Sequence, residues 1–157
     1  MSNEELERIV REYVDKSLHM SLATCVNNHP WVSEVHFVYD DKLNLYFRSR
    51  QDRRHSREIA ANPHVAGNIV EQHNLGEYPH AVYFEGSAGV VDDIAEIERV
   101  APLFIERQGC NESIIDDAQH DEGHRFYKVT INNWAAFGKF GRDYGDKYVL
   151  EWSEESL

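Results

Sequence analysis

The residues best suited to chemistry lie in FRSRQDRRHSREIAANP, positions 47–63. Five of the sixteen Lys and Arg side chains, Arg48, Arg50, Arg53, Arg54 and Arg57, fall in this stretch, and only Asp52 opposes them between Arg48 and Arg57. The run separates a strand-like apolar segment from a short helical one. A strand running into a helix start offers free backbone N–H groups and the positive end of the helix dipole. Ser49 adds a hydroxyl, and Arg54 adds a planar fork suited to gripping a phosphate bidentately. Two readings fit, a solvated basic face and a site for a compact anion. Mutual repulsion among five cations, which a bound phosphate would relieve, speaks for the second.

Other candidates carry less. His120 and His124 are spaced i, i+4, as in a zinc-binding HExxH helix. Asp121 stands where that motif needs glutamate, Gly123 weakens a helix, and no third ligand is evident, so the segment reads as a solvated acidic loop. Gly138-Lys-Phe-Gly141 matches neither a dinucleotide fingerprint nor a P-loop. Gly86-Ser87-Ala88-Gly89 lacks the glycine two positions before the serine that a nucleophile elbow requires. Cys25 and Cys110 form no CxxC pair, and Cys25 sits in an apolar run as a buried free thiol would. His36, within a strand, reads as structural. No side chain stands out as a general acid or base.

Composition narrows the partners. The 157-residue chain carries 28 acidic and 16 basic side chains, a net charge of -12. Nucleic acid and anionic membranes would be repelled on average, while a local basic patch can still hold a small anion. The first ten residues lack a basic segment followed by an apolar stretch, and no apolar run approaches the roughly 18 residues of a membrane span. A cytoplasmic protein of one domain, residues 1–157, is expected.

The elements that must position the basic run follow from periodicity. Ser2 and Glu5 have capping-box spacing, and Leu6, Ile9, Val10, Tyr13 and Val14 predict an amphipathic helix ending near Lys16. Leu18–Val26 and Trp31–Tyr39 predict a hairpin about Asn27-Asn28-His29-Pro30. Leu43–Phe47 predicts a third strand. The arginine segment leads into a short helix stopped by Asn62-Pro63. His64–Val70 and Ala81–Val91 predict two more strands around a polar loop, with Gly86 and Gly89 as bulge points. A helix over Asp92–Arg107, kinked at Pro102, precedes an irregular segment with a helical turn near Ile114. Phe126–Ile131 predicts a sixth strand, Trp134–Phe140 a seventh, and residues 141–157 an acidic tail that docks only in part. Six or seven short strands joined mostly by tight turns predict a mainly β fold, an antiparallel barrel with peripheral helices.

Taken in order, LATCVNNHPWVSEVHFVYDDKLNLYFRSRQDRRHSREIAANPHVAGNIV, then AVYFEGSAGVVDD, resembles the pyridoxamine 5'-phosphate oxidase-like family of FMN-binding split β-barrels. The likeness covers Ser17 to Arg107, with a looser echo in NNWAAFGKFGR. It implies that Ser33, Glu34, Val35, His36 and Phe37 form the strand whose backbone faces the flavin ring. It places Arg48 and Ser49 beside the ribityl phosphate, and Arg54 and His55 where the family has an Arg-Lys pair on that phosphate. Histidine is less surely charged at neutral pH, which Arg53 or Arg50 could offset.

Ser33 replaces an arginine that opens the flavin strand in the true oxidase, Ala81 replaces a glutamine, and the basic C-terminal segment that binds pyridoxal phosphate has no counterpart. The resemblance therefore implies FMN binding without vitamin B6 oxidation. It points to a homodimer whose partner chain completes the site near Trp134 or Lys139, acting as a flavin-dependent oxidoreductase on a small-molecule redox substrate. Rival readings are a non-catalytic flavin-binding or storage protein, the same barrel carrying haem or a deazaflavin, and a stress-related module whose arginines bind an acidic partner.

Overall fold

A computed structural model describes residues 1–138 and 147–153, with the side chains of Lys147 and Tyr148 excepted. Helix α1 (Asn3–Lys16) opens with the expected capping box, in which Ser2 Oγ accepts from Glu5 N–H and Glu5 accepts from Ser2 N–H at 2.8 Å. The strands are β1 (His19–Val26), β2 (His29–His36), β3 (Val38–Tyr39), β4 (Leu45–Arg50), β5 (His64–Val70), β6 (Ala81–Val90), β7 (His124–Phe137) and β8 (Lys147–Glu151). Helices α2 (Arg54–Ala61), α3 (Ile94–Gln108) and α4 (Ser113–Asp117) lie between them.

The sheet is antiparallel in the order β2-β1-β5-β6-β7-β4-β3, with β8 also on β7. Its two end strands, β2 and β3, are consecutive in the chain and separated by Phe37 alone. One residue spans at most about 3.6 Å, so the sheet has to curl until its ends nearly meet. No ladder joins β2 to β3 among the described residues, which leaves the barrel split along that seam. Phe37 fills the gap, 1% exposed, and its N–H donates to the Leu18 carbonyl at 3.1 Å.

Alternation sorts side chains onto the two faces. Met20, Leu22, Leu45, Phe47, Val82, Phe84, Tyr127, Val129 and Trp134 fill the barrel, capped by the apolar stripe of α1. Val38, Tyr46 and Phe126 face outward into a second core under α3 and α4. Asn27 and Asn28 both take positive φ, 52° and 63°, the two-residue turn that suits strand twist. Pairing therefore resumes at His29, and Pro30 sits within β2, tolerated because β2 ends the sheet.

Three expectations are corrected. The sixth and seventh strands are one, the 14-residue β7, whose first half pairs with β4 and whose second half pairs with β8. Strand β4 starts later and runs further than Leu43–Phe47, taking in Arg48, Ser49 and Arg50. Part of the acidic tail is a strand. β8 pairs with β7, and Trp152 docks with its indole N–H on the Lys42 carbonyl at 3.0 Å. The rest of the tail, residues 141–146 and 154–157, lies outside the described residues.

The β6–β7 ladder slips at Glu85/Gly86, where a Cβ on Gly86 would come within 2.0 Å of the Thr130 carbonyl oxygen, whereas one on Gly89 meets nothing within 4 Å. Gly86→Ala is expected to lower unfolding free energy by about 2–3 kcal/mol, since the obstacle is backbone. Gly89→Ala should change it by less than about 0.5 kcal/mol. Urea denaturation of the pair checks both.

Candidate functional site

Strand β4 brings the basic run to the barrel rim and hands it to α2. Arg53 caps α2 without a side-chain acceptor, and the first helical bond closes only at Arg57 N–H on the Arg53 carbonyl, 3.0 Å. The N–H groups of Arg54, His55 and Ser56 precede that bond and have no side-chain cap. No acid lies in the first turn. This helix start is electropositive and lacks the capping oxygen that normally occupies such donors.

Ser49 shares the barrel face with Phe47 and points at this start. Its Oγ lies 2.8 Å from His55 Nε2 and accepts from Ser56 Oγ at 3.2 Å, with both serines buried. The His55 ring packs edge-on to Phe47 at 5.9 Å. Burial, reinforced by the nearby Arg53 charge, pushes the His55 pKa down. The imidazole is thus held neutral, with Ser49 as partner. Tyr127 closes the cluster from β7 beside Ser56, its own pKa raised by burial.

The other cations separate. Arg48 lies on the opposite face of β4, where it donates to Asp117 at 3.3 Å and to Cys110 Sγ at 3.6 Å. Arg50 pairs with Asp52 at 2.9 Å, and Arg57 donates to the Asp52 carbonyl. Arg54 donates Nε–H to Glu58 at 2.8 Å and lays its guanidinium 4.1 Å over the Trp31 ring. Arg53 makes no ion pair with the described residues. Mutual repulsion is therefore relieved by neighbouring acids and carbonyls, and that part of the case for an anion fails. What remains is the geometry. Ser49 and His55 meet at one helix start, Arg53 and Arg54 open that helix, and Arg48 is turned away from it.

Strand β2 runs past this corner through Trp31. Ser33 and Val35 face inward, opposite Leu22 and Met20, while Glu34 and His36 face outward. Glu34 accepts from Ser21 at 2.8 Å and pairs with His19 at 2.9 Å, and His36 stacks on His19 at 5.9 Å. Because β2 ends the sheet, one edge of its backbone lies outside any ladder of the described residues. A groove of about 720 Å³ runs along Glu34, lined by Tyr13, Leu18, His19, Ser21, Asn68 and Val70 among others.

Cys25 and Cys110 are free and half-buried. His120 pairs with Asp116 and His124 with Asp117, and no group of three His, Cys, Asp or Glu among the described residues is placed to hold a metal. Trp134 is fully buried in the barrel, and Lys139 lies outside the described residues.

A curled antiparallel sheet closed through one residue, with a helix start at its rim, defines a split β-barrel. Residues 6–138 match the family model of pyridoxamine 5'-phosphate oxidase, and the chain belongs to that family. Among solved structures it is similar to ChuZ of Campylobacter jejuni, at 15% identity and a TM-score of 0.75, covering 96% of this chain and 61% of that one. It is also similar to an FAD-binding protein of Mesorhizobium loti, at 18% and 0.63, covering 80% and 89%. The heme storage protein HutZ of Vibrio cholerae matches at 16% and 0.61, covering 94% of both. Comparison with curated protein sequences returns no match. At such identities the structural likenesses speak for the fold.

Sequence reasoning missed Ser56, Glu58, Thr24, Trp31 and Tyr127. Glu58 was findable, since it stands four residues after Arg54 on a helix. Trp31 carried no such signal, because a contact across 23 residues between β2 and α2 exists only in three dimensions.

The lowered His55 pKa has a definite sign. Above the unfolded value of about 6.5 both states are neutral; below it the unfolded histidine takes a proton that the folded one resists. The stability contributed by neutral His55 should thus be lost as pH falls through its folded pKa. Urea midpoints of wild type and His55→Asn from pH 7.5 to 5 should converge as pH drops; parallel curves would contradict this.

Proposed function

We propose that this chain binds FMN and acts as a flavin-dependent oxidoreductase on a small-molecule redox substrate. The supporting observation is the uncapped, acid-free start of α2 with Ser49 and His55 against it and Arg53 in no ion pair among the described residues. This donor set fits a phosphate. Backbone N–H groups and a hydroxyl donate, Arg53 and Arg54 supply charge, and the half-buried His55 leaves room for a proton when an anion arrives. The backbone edge of β2, unpaired among the described residues and reached from the corner through Trp31, suits the polar rim of a planar ring.

FMN, when bound, supplies the redox chemistry. The chain's own tasks are binding, orientation and exclusion of water. Ser49, Arg53 and Arg54 fix the phosphate end, and Ser33–His36 offer backbone groups to the ring end. Proton transfer at the substrate is assigned to no side chain, because none among the described residues stands in a cleft with the required partners. We propose further that the working unit is a homodimer. Val32, Val70 and Val149 are at least half exposed, and they share the outer sheet face with Ala23, Ala66 and Ala135, a patch without a covering helix among the described residues. Such an arrangement would bring a second chain to the β2 edge.

Protein purified without added cofactor, or titrated with FMN, should show the two-band visible spectrum of an oxidised flavin. A single intense Soret band would favour haem instead. Arg54→Ala should weaken FMN binding by about 1.5–3 kcal/mol, roughly ten- to a hundredfold. Unchanged affinity would remove Arg54 from the site. Turnover of reduced nicotinamides with artificial acceptors by the FMN-loaded protein separates an oxidoreductase from a flavin store.

A further inference from the structure

We propose that Trp31 and Glu58 are positioning residues that preset Arg54 for the phosphate of the bound cofactor; the inference rests on the FMN reading above. An arginine at a helix start is long and flexible, and an unrestrained one loses rotamer freedom each time it closes on a ligand. Arg54 is held twice. Its Nε–H donates to Glu58 Oε2 at 2.8 Å, and its guanidinium lies 4.1 Å over the Trp31 ring. Both terminal nitrogens keep their donors, since no hydrogen bond to the described residues uses them.

The holding groups are themselves held. The Glu58 side chain is 12% exposed, and its Oε1 accepts from Thr24 Oγ1 at 3.1 Å, with Thr24 buried in β1. One turn further on, Asn62 Nδ2 donates to the Cys25 carbonyl at 2.9 Å. The first hairpin and α2 are thus tied at two points. Trp31 extends from the same hairpin two residues before the strand segment assigned to the ring. The hairpin that presents the ring-facing backbone therefore also aims the phosphate-facing arginine. Fixing a binding group before the ligand arrives lowers the ordering cost of binding.

A competing role for Glu58 makes the opposite forecast. A carboxylate beside the guanidinium could merely neutralise it, and removal would then tighten FMN. Four variants, Arg54→Ala, Glu58→Ala, Glu58→Gln and Trp31→Leu, are titrated with FMN and with riboflavin, which has the ring but no phosphate. Urea midpoints of each confirm folding. Glu58→Ala and Trp31→Leu should each weaken FMN about three- to tenfold and leave riboflavin unchanged. Glu58→Gln should retain most of the affinity, because its amide oxygen can still accept from Nε. Wild-type or tighter FMN binding by Glu58→Ala and Trp31→Leu, with Arg54→Ala weakened, overturns the positioning role and leaves the anchor standing. An Arg54→Ala protein that binds FMN normally removes the anchor and the positioning role together. Equal losses for FMN and riboflavin would reduce Trp31 and Glu58 to general structural contacts.

Discussion

Everything in this molecule depends on one short link. Strands β2 and β3 stand at opposite ends of the sheet order yet are joined by Phe37 alone. Residues placed far apart by the ladder are therefore brought together by closure. β2 arrives next to the β4–α2 corner, and Trp31 reaches Arg54 as a result. The long β7 makes the curl feasible, since it serves β4 along one half and β8 along the other, with a bulge opposite at Gly86. Closure also needs interior volume filled, which Phe37, Phe47, Trp134 and the apolar stripe of α1 provide.

The second organising principle is electrostatic. A chain with a net charge of -12 can place cations close together because acids are never far from them. Arg50, Arg54 and Arg48 each meet a carboxylate, from Asp52, Glu58 and Asp117. Pairs of this kind contribute little to stability where they are exposed, as Arg50–Asp52 is. Their consequence is directional, because each carboxylate fixes where its arginine points. Arg48 is committed to α4, while Arg54 is held along α2 against Trp31. The cluster that looks uniform in sequence is divided by its partners into a structural cation, solvated cations and a corner that faces outward.

Much of this was legible beforehand. Hydrophobic alternation, the Asn27-Asn28 turn and the Asn62-Pro63 stop carry local instructions that tertiary packing did not override, and β5 falls on its expected residues, His64–Val70. The long β7 was read as two strands with a break at Asn132-Asn133, yet Asn133 pairs with Glu85 and Glu151, and Asn132, skipped by the β6 register, accepts from Trp152 N–H, so the strand runs through. Partial docking of the tail was expected, but not its strand β8 or the burial of Trp152, whose contacts with the Lys42 carbonyl and the Arg11 side chain are not local. At the corner, sequence spacing put Ser49, Arg53, Arg54 and His55 near one another, and the structure brings Ser49 Oγ within 2.8 Å of His55 Nε2. Spacing could not see that strand alternation sends Arg48 to the other face, since that required knowing that β4 continues through Arg50.

The central claim is that the start of α2 holds the phosphate end of FMN while β2 meets the ring end. Amide chemical shifts recorded during titration with FMN and then with riboflavin test this most directly. The account predicts that FMN moves the amides of Arg54, His55 and Ser56 together with those of Ser33–His36, whereas riboflavin moves only the β2 set. Shifts confined to the Arg48–Cys110–Asp117 side, or identical responses to both ligands, would contradict it.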